Sequence, residues 1–171
     1  TNDHLLQDAM AGKAAEGDSP APLRGWRFSP SPAEGGSPAT FLRVPHSGGS
    51  SAVSYRYDAA TGRYWRAQGD APHTTQSGTQ LGPQNVVVIY AEERVTPIVE
   101  DSLGNRSLHY KIGGHGPALL LRDGQLWQVN WQREGENVLI RIVDGAGNVL
   151  PLRPGQTIVH FVPTDAAVSW E

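Results

Sequence analysis

The segment around Asp123-Gly124 constrains the fold of this chain more than any other part of the sequence. Two apolar, strand-like runs flank it, residues 119–122 and residues 125–129. Asp-Gly between such runs is typical of a type I′ turn, because both central residues of that turn need positive φ. The sequence therefore predicts a tight β-hairpin at this point. The hairpin region also carries Trp127 and Trp131 and is entered through the glycine-rich residues 113–116.

The rest of the chain indicates many short strands and turns. Glycine (20) and proline (13) are abundant in the 171 residues, which favours turns over long helices. Residues 85–92 (NVVVIYAE) form a continuous β-branched run, which predicts a central strand buried on both faces. The other strand-like runs are residues 40–44, 52–57, 63–67, 94–98, 108–112, 119–122, 125–129, 137–143, 149–152 and 157–162.

These patterns predict a mainly β fold, α+β at most. We expect an antiparallel curled sheet or partly open barrel of short strands and hairpins, with one N-terminal helix. The chain is interpreted as one domain, residues 1–171, with a helix and arm over 1–22 and a β-rich body over 23–171. Residues 68–84 are expected to be a long connection. Because the chain opens directly into a helix signal, we interpret it as an excised domain or a processed product.

Composition limits the classes of function. The formal net charge is −3 and no basic run occurs, so nucleic acid is not an expected partner. Cysteine is absent, which excludes disulfides, thiol nucleophiles and Cys-based zinc sites from this chain. No apolar run approaches the roughly 20 residues that a membrane-spanning helix needs. The histidines are scattered without ligand spacing, so neither a metal nor another cofactor is predicted.

Two regions are candidates for a binding site. The first is the glycine-rich run, where glycines serve either a sharp bend or bulge before Pro117 or a backbone that approaches a ligand closely. The second is a set of aromatic residues interleaved with arginines on the predicted hairpins, which suits sugars, peptides or partner surfaces. Alternatively, those aromatics are core residues covered by arginine stems. The candidate ligand-binding residues are Arg43, Tyr55, Tyr57, Tyr64, Trp65, Arg66, Lys111, Gly113, Gly114, His115 and Trp131.

Several motifs follow one another in a specific order: Asn85-Val-Val-Val, Gly113-Gly-His-Gly, Leu119-Leu-Leu-Arg-Asp-Gly124, Trp131, Asp144-Gly-Ala-Gly and Leu152-Arg-Pro-Gly-Gln-Thr157. Their order resembles the C-terminal domain of the YerB-like bacterial lipoproteins. The resemblance implies that this chain, residues 1–171, is the C-terminal part of a larger two-domain lipoprotein on the outer face of the cytoplasmic membrane, and that the domain has no established activity. It also implies that the membrane is reached only through a lipid anchor outside this chain.

Two functions are consistent with these observations. The first is a non-catalytic, extracytoplasmic domain that binds a protein partner or an envelope polymer through an aromatic and arginine-bearing surface. Its own N-terminal domain is a further expected partner. The alternative is a cell-wall-acting enzyme whose active site lies at the junction with that domain. In this alternative His109, Lys111 and His115 are the local contributors. No G-x-S-x-G or S-x-x-K motif supports hydrolytic chemistry, so the domain is expected to be non-enzymatic.

Overall fold

The structure is a computed structural model that describes residues 26–45, 52–135 and 137–171. The described residues form strands and turns and contain no helix, so the mainly β prediction is confirmed. The predicted N-terminal helix and arm, residues 1–22, lie outside the described residues. The strands are β1 Ser37–Pro38, β2 Phe41–Val44, β3 Val53–Asp58, β4 Arg63–Gln68, β5 Ala71–Pro72, β6 Asn85–Tyr90, β7 Glu92–Val99, β8 Arg106–Lys111, β9 Gly114–Arg122, β10 Gln125–Arg133, β11 Arg141–Val143, β12 Thr157–Val162 and β13 Ser169–Trp170.

The strands form two larger sheets and one separate hairpin. Sheet I has the order β1-β10-β9-β6-β12, with β11 also pairing β10. Sheet II has the order β13-β2-β3-β4-β5, and β7 and β8 form a separate two-stranded sheet. The two sheets do not close on each other, so the prediction of a single curled sheet or partly open barrel is wrong. Hydrophobic alternation shows which residues are buried, but it does not show which strands become neighbours.

The predicted hairpin at Asp123-Gly124 is confirmed as β9 and β10. Asp123 has φ 53° and Gly124 has φ 71°, the positive values that a type I′ turn requires. The hairpin is longer than predicted, because residues 114–117 extend β9 in continuous register with residues 130–133. The sharp bend predicted before Pro117 is present at Gly113, directly ahead of β9, whereas β9 has no bulge in its ladder with β10.

Strand β6 is the central strand that the sequence predicted. Residues 85–89 are all buried, and β6 lies between β9 and β12. Val86 and Val88 face one hydrophobic core, while Val87 and Ile89 face a second core on the other side of sheet I. The pairing of β6 with β12 is parallel, whereas the prediction was antiparallel throughout. The predicted direction was wrong for this pair, because β6 and β12 lie far apart in sequence and no hairpin joins them.

The first core lies between the two sheets. Leu42, Val44 and Tyr55 of sheet II pack in the same cluster as Val86 and Leu121 of sheet I. The second core covers the opposite face of sheet I and contains Trp127, Trp131, Ile142, Leu150 and Leu152. Only residues 141–143 of the predicted strand 137–143 are extended in a ladder, and residues 149–152 contribute isolated bridges. The two-residue strands β1 and β13 were not predicted, since two residues carry no periodicity.

A buried arginine closes one end of sheet I. Arg122 is 1% exposed, and its guanidinium donates to the carbonyls of Ser29, Pro30 and Pro151 and to the Asp123 carboxylate at 2.7 to 3.2 Å. Asp123 also accepts a 2.6 Å bond from Arg153. A charge without water is tolerated only when its donors are satisfied in this way. Arg122 therefore holds two loops and the hairpin turn in one fixed arrangement.

We predict that Arg122→Met lowers the free energy of unfolding by about 3–5 kcal/mol, because it leaves the carbonyls and the Asp123 carboxylate without their shared donor. Urea unfolding followed by circular dichroism measures this loss. The matched control is Arg94→Met, which removes an exposed arginine paired with Glu92 and should change stability little. Equal effects of the two substitutions would contradict the structural role given to Arg122.

Candidate functional site

The predicted site residues on sheet II lie partly on its inner face and partly on its outer face. Tyr55, Tyr57 and Tyr64 lie on the inner face, where Tyr55 and Tyr64 are fully buried and Tyr57 packs against the first core. The Tyr55 hydroxyl contacts His160 Nε2 at 2.7 Å, and burial raises the pKa of Tyr55 to about 12. Arg66 is paired with Tyr55 across the ladder and is half-buried on the same face. These four side chains belong to the interior and do not form the predicted aromatic surface.

Trp131 is also a core residue. It is buried in the second core, and its indole Nε1 donates to the Tyr90 carbonyl at 2.9 Å. A Cβ placed on Gly116 would lie 2.7 Å from that same nitrogen. Gly116 is therefore needed for the close approach of β9 to the Trp131 ring, which is a packing reason for one glycine of the glycine-rich run.

Arg43 and Trp65 lie on the outer face of sheet II, where they line a groove of about 420 Å³. The pairing registers create two rows of side chains across β2, β3 and β4: Phe41, Arg56 and Trp65 in one row, and Arg43, Ser54 and Ala67 in the other. Residues 69, 70 and 80 complete the wall. We call this concavity the outer groove. Of its lining residues, the sequence analysis named only Arg43 and Trp65 as site residues.

The connection over residues 68–84 positions Trp65. Its backbone follows β4 closely, with the amides of Tyr64 and Arg66 donating to the carbonyls of Pro83 and Leu81. A Cβ on Gly82 would lie 2.7 Å from the Trp65 ring, so the backbone packs directly against that ring. The Trp65 indole also donates to Asp58. The segment interpreted as a long connection therefore forms a wall of the outer groove.

The outer groove carries more positive than negative charge. Arg43 and Arg56 are exposed arginines on its floor, and Asp70 is the acidic residue in its wall. The Arg56 guanidinium lies 5.1 Å from the centroid of the Phe41 ring, which is a cation–π distance. Among the described residues, no carboxylate forms a salt bridge with this arginine. The nearby Asp58 is engaged elsewhere, since bonds from Thr61 and Trp65 lower its pKa. The groove thus presents two guanidinium groups beside an aromatic ring.

The glycine-rich region forms two smaller hollows instead of one cleft. One has a volume of about 340 Å³ and is lined by His109, Lys111, Gly113 and Gly114 among others. The other, of about 240 Å³, includes Lys111, Gly113 and His115. His109 and His115 therefore line different hollows. Lys111 Nζ lies 3.9 Å from a Glu92 oxygen, farther than a hydrogen bond. Residues 109–116 therefore expose His109, Lys111 and His115 without bringing the two histidines into one cleft.

A metal centre is not assembled in the described part of the chain. No three His, Asp or Glu side chains lie close enough together there to hold an ion. Over the same residues, no helix has the length and apolar character required to span a membrane.

Comparisons with known proteins identify the family. The family model for the C-terminal domain of a protein of unknown function (DUF3048) matches residues 42–159. The chain belongs to this family. The match includes the hairpin β7–β8 and most strands of both sheets, but not β1, β13 or residues 160–162 of β12. It also includes the floor of the outer groove except Phe41. No curated protein matches the chain.

The crystal structure of YerB from Bacillus subtilis is similar in fold to this DUF3048 domain. The TM-score is 0.63 at 24% sequence identity, and the match covers 84% of this chain and 46% of the YerB chain. The domain thus corresponds to less than half of the YerB chain. The resemblance to YerB-like proteins inferred from the sequence motifs is confirmed at the level of family and fold.

The two glycines at the edge of the hollows give a matched test of packing. Gly116→Ala should lower the free energy of unfolding by about 1–3 kcal/mol, because its methyl group meets the Trp131 ring. Gly113→Ala is the control, since a Cβ there meets nothing within 4 Å. Chemical unfolding followed by tryptophan fluorescence measures both. A Gly113 variant as destabilised as the Gly116 variant would contradict this assignment.

Proposed function

We propose that this DUF3048 domain is a non-catalytic binding domain that holds a carboxylate-bearing envelope polymer in the outer groove. The observation that carries the proposal is the placement of Arg43 and Arg56 beside Trp65 on one exposed sheet face. The extracytoplasmic location, the lipid anchor and the neighbouring N-terminal domain are parts of the same proposal. They rest on the resemblance to YerB-like lipoproteins.

The side chains of the groove favour an amphipathic, anionic ligand. Guanidinium groups bind carboxylates through two parallel hydrogen bonds, and both Arg43 and Arg56 are exposed at the groove. The Trp65 ring supplies an apolar surface next to the polar side chains of Ser54 and Gln80. A sugar ring that carries a carboxylate or a short acidic peptide has both properties. Cell-wall glycan with stem peptides is a polymer of this kind.

The size of the groove favours a polymer segment over a folded protein. Its volume of about 420 Å³ lies in the range of small-ligand pockets. A stable protein interface usually buries about 800 Å² on each partner, far more than this concavity offers. An elongated polymer needs only a few units in the groove and can extend beyond it at either end. The two rows of side chains run across three strands and give such a segment a defined path.

We predict that Arg43→Ala and Arg56→Ala each weaken binding of muramidase-released wall fragments by about tenfold, because each removes a charge-assisted hydrogen bond. Binding is measured by calorimetry at low and high salt, and higher salt should weaken it. Arg27→Ala, which removes an exposed arginine outside the groove, is the matched control and should bind like the unaltered domain.

Two further ligands test which part of the wall fragment the groove recognises. Chitin oligosaccharides have the sugar backbone without carboxylates and should bind at least tenfold more weakly than the wall fragments. If the ligand of the groove is instead an acidic protein, polyglutamate should bind as well as the wall fragments do. Unchanged binding in both arginine variants, or no binding by the unaltered domain, would refute the proposed function.

A further inference from the structure

Charges of both signs line the outer groove. Arg43 and Arg56 supply positive charge from its floor, and Asp70 supplies negative charge from its wall. All three side chains are exposed. Over the ranges that the structure describes, 26–45, 52–135 and 137–171, no salt bridge joins Asp70 to either arginine. A groove with separated opposite charges is complementary to a ligand that carries both charges at a matching separation.

A tight turn positions Asp70 in the wall. Gln68 and Ala71 are paired at the end of the hairpin that β4 and β5 form, so Gly69 and Asp70 are the two central residues of its turn. Gly69 has φ 58° and the φ of Asp70 is not positive, which is the pattern of a type II′ turn. The Gly69 amide also donates to the Ala52 carbonyl at 2.8 Å. The Asp70 carboxylate is therefore carried by a well-defined point of the backbone.

The strand registers place Asp70 on the far side of the groove from Arg43. Arg43, Ser54 and Ala67 form one row across β2, β3 and β4, and Asp70 lies in the turn just beyond Ala67. Because neighbouring strands are about 4.8 Å apart, the backbones of Arg43 and Ala67 are separated by about 10 Å. A ligand that reaches both charged sides of the groove needs a chain of several atoms between its own two charges.

We infer that the outer groove binds a peptide residue that carries both a carboxylate and a side-chain ammonium group. The carboxylate binds the guanidinium groups of Arg43 and Arg56, and the ammonium group binds the carboxylate of Asp70. The aliphatic chain between the two charges lies on the Trp65 ring. This inference rests on the proposed function and names the part of the wall polymer that the groove recognises, which is a diamino acid of the stem peptide.

Asp70 makes ligands with carboxylates alone a poorer match. A sugar acid or a polyglutamate chain would place a negative charge near Asp70, and like charges brought together at a binding site weaken binding. An ammonium group at the same place is attracted instead. Asp70 thus acts as a specificity residue, because it favours one ligand class and disfavours another by the same charge.

The test compares two synthetic stem peptides by calorimetry. Each has an acetylated N-terminus and a single lysine, and in the second peptide the lysine side chain is acetylated too. The two peptides then share their carboxylates and differ in one ammonium group. We expect the unaltered domain to bind the free-lysine peptide about tenfold more tightly, because only that peptide forms a charge-assisted hydrogen bond with Asp70.

Substitutions assign this preference to Asp70. Asp70→Asn should weaken binding of the free-lysine peptide by about tenfold and should not weaken binding of the acetylated peptide. Arg43→Ala should weaken binding of both peptides by a similar factor, because both keep their carboxylates. Asp165→Asn removes an exposed carboxylate outside the groove, so it is the matched control and should bind both peptides like the unaltered domain.

The muramidase-released wall fragments separate failure of this inference from failure of the proposed function. If the unaltered domain binds the fragments but binds neither peptide, or binds both peptides equally, the inference is overturned and the proposed function stands. A preference for free lysine that persists in Asp70→Asn, with the fold verified by circular dichroism, overturns it as well. If the unaltered domain binds neither the fragments nor the peptides, both proposals fail.

Discussion

The buried guanidinium of Arg122 is the interaction on which the arrangement of the two sheets depends. It stands at the end of β9, next to the turn, and binds the carbonyls of two loops that cross this end of sheet I. The adjoining turn is the junction with sheet II, because the Gly124 amide donates to the Tyr64 hydroxyl at 3.0 Å. Asn85 continues the same polar cluster, since its side chain binds both the amide and the carbonyl of Arg153. Burying so many polar groups costs free energy unless all of them are satisfied together, so the cluster permits one arrangement of turn, loops and sheets.

The outer groove follows from that arrangement. Because the inner face of sheet II is filled by Tyr55, Tyr64 and the aliphatic core, the residues that alternate with them must face outward. These outward residues include two arginines and a tryptophan, and the connection over residues 68–84 adds the wall that turns a flat face into a concavity. Trp65 is not needed to fill the core between the sheets. Its ring packs against Gly82 and also lines the outer groove, and this position is the physical basis of the proposed binding function.

The sequence predicted local structure better than it predicted the site. Asp123-Gly124 requires positive φ and residues 85–89 are continuously apolar, so the hairpin and the central strand could be found from local rules alone. The parallel partner of β6 and the division into two sheets depend on contacts between distant residues, which no local pattern encodes. The candidate site residues proved to lie partly in the core and partly on the surface, and this division also depends on contacts between distant residues. Tyr55 and Trp65 were both candidate ligand-binding aromatics with a core role as the alternative, and the position of each side chain in its sheet shows that Tyr55 is buried while Trp65 lines a groove. Period-two alternation along β3 and β4 was the signal that could have separated them.

The most direct test of the central claim uses the indole N–H signals of the five tryptophans in a nitrogen-labelled sample. Wall fragments are added, and the Trp65 signal is assigned by its loss in Trp65→Phe. The account predicts that the Trp65 indole signal moves with added fragment, together with the side-chain signals of Arg43 and Arg56. The indole signals of Trp127 and Trp131 should stay in place, because both rings are buried in the second core. Shifts confined to residues 109–116, with Trp65 unchanged, would place recognition at the glycine-rich hollows and contradict the account.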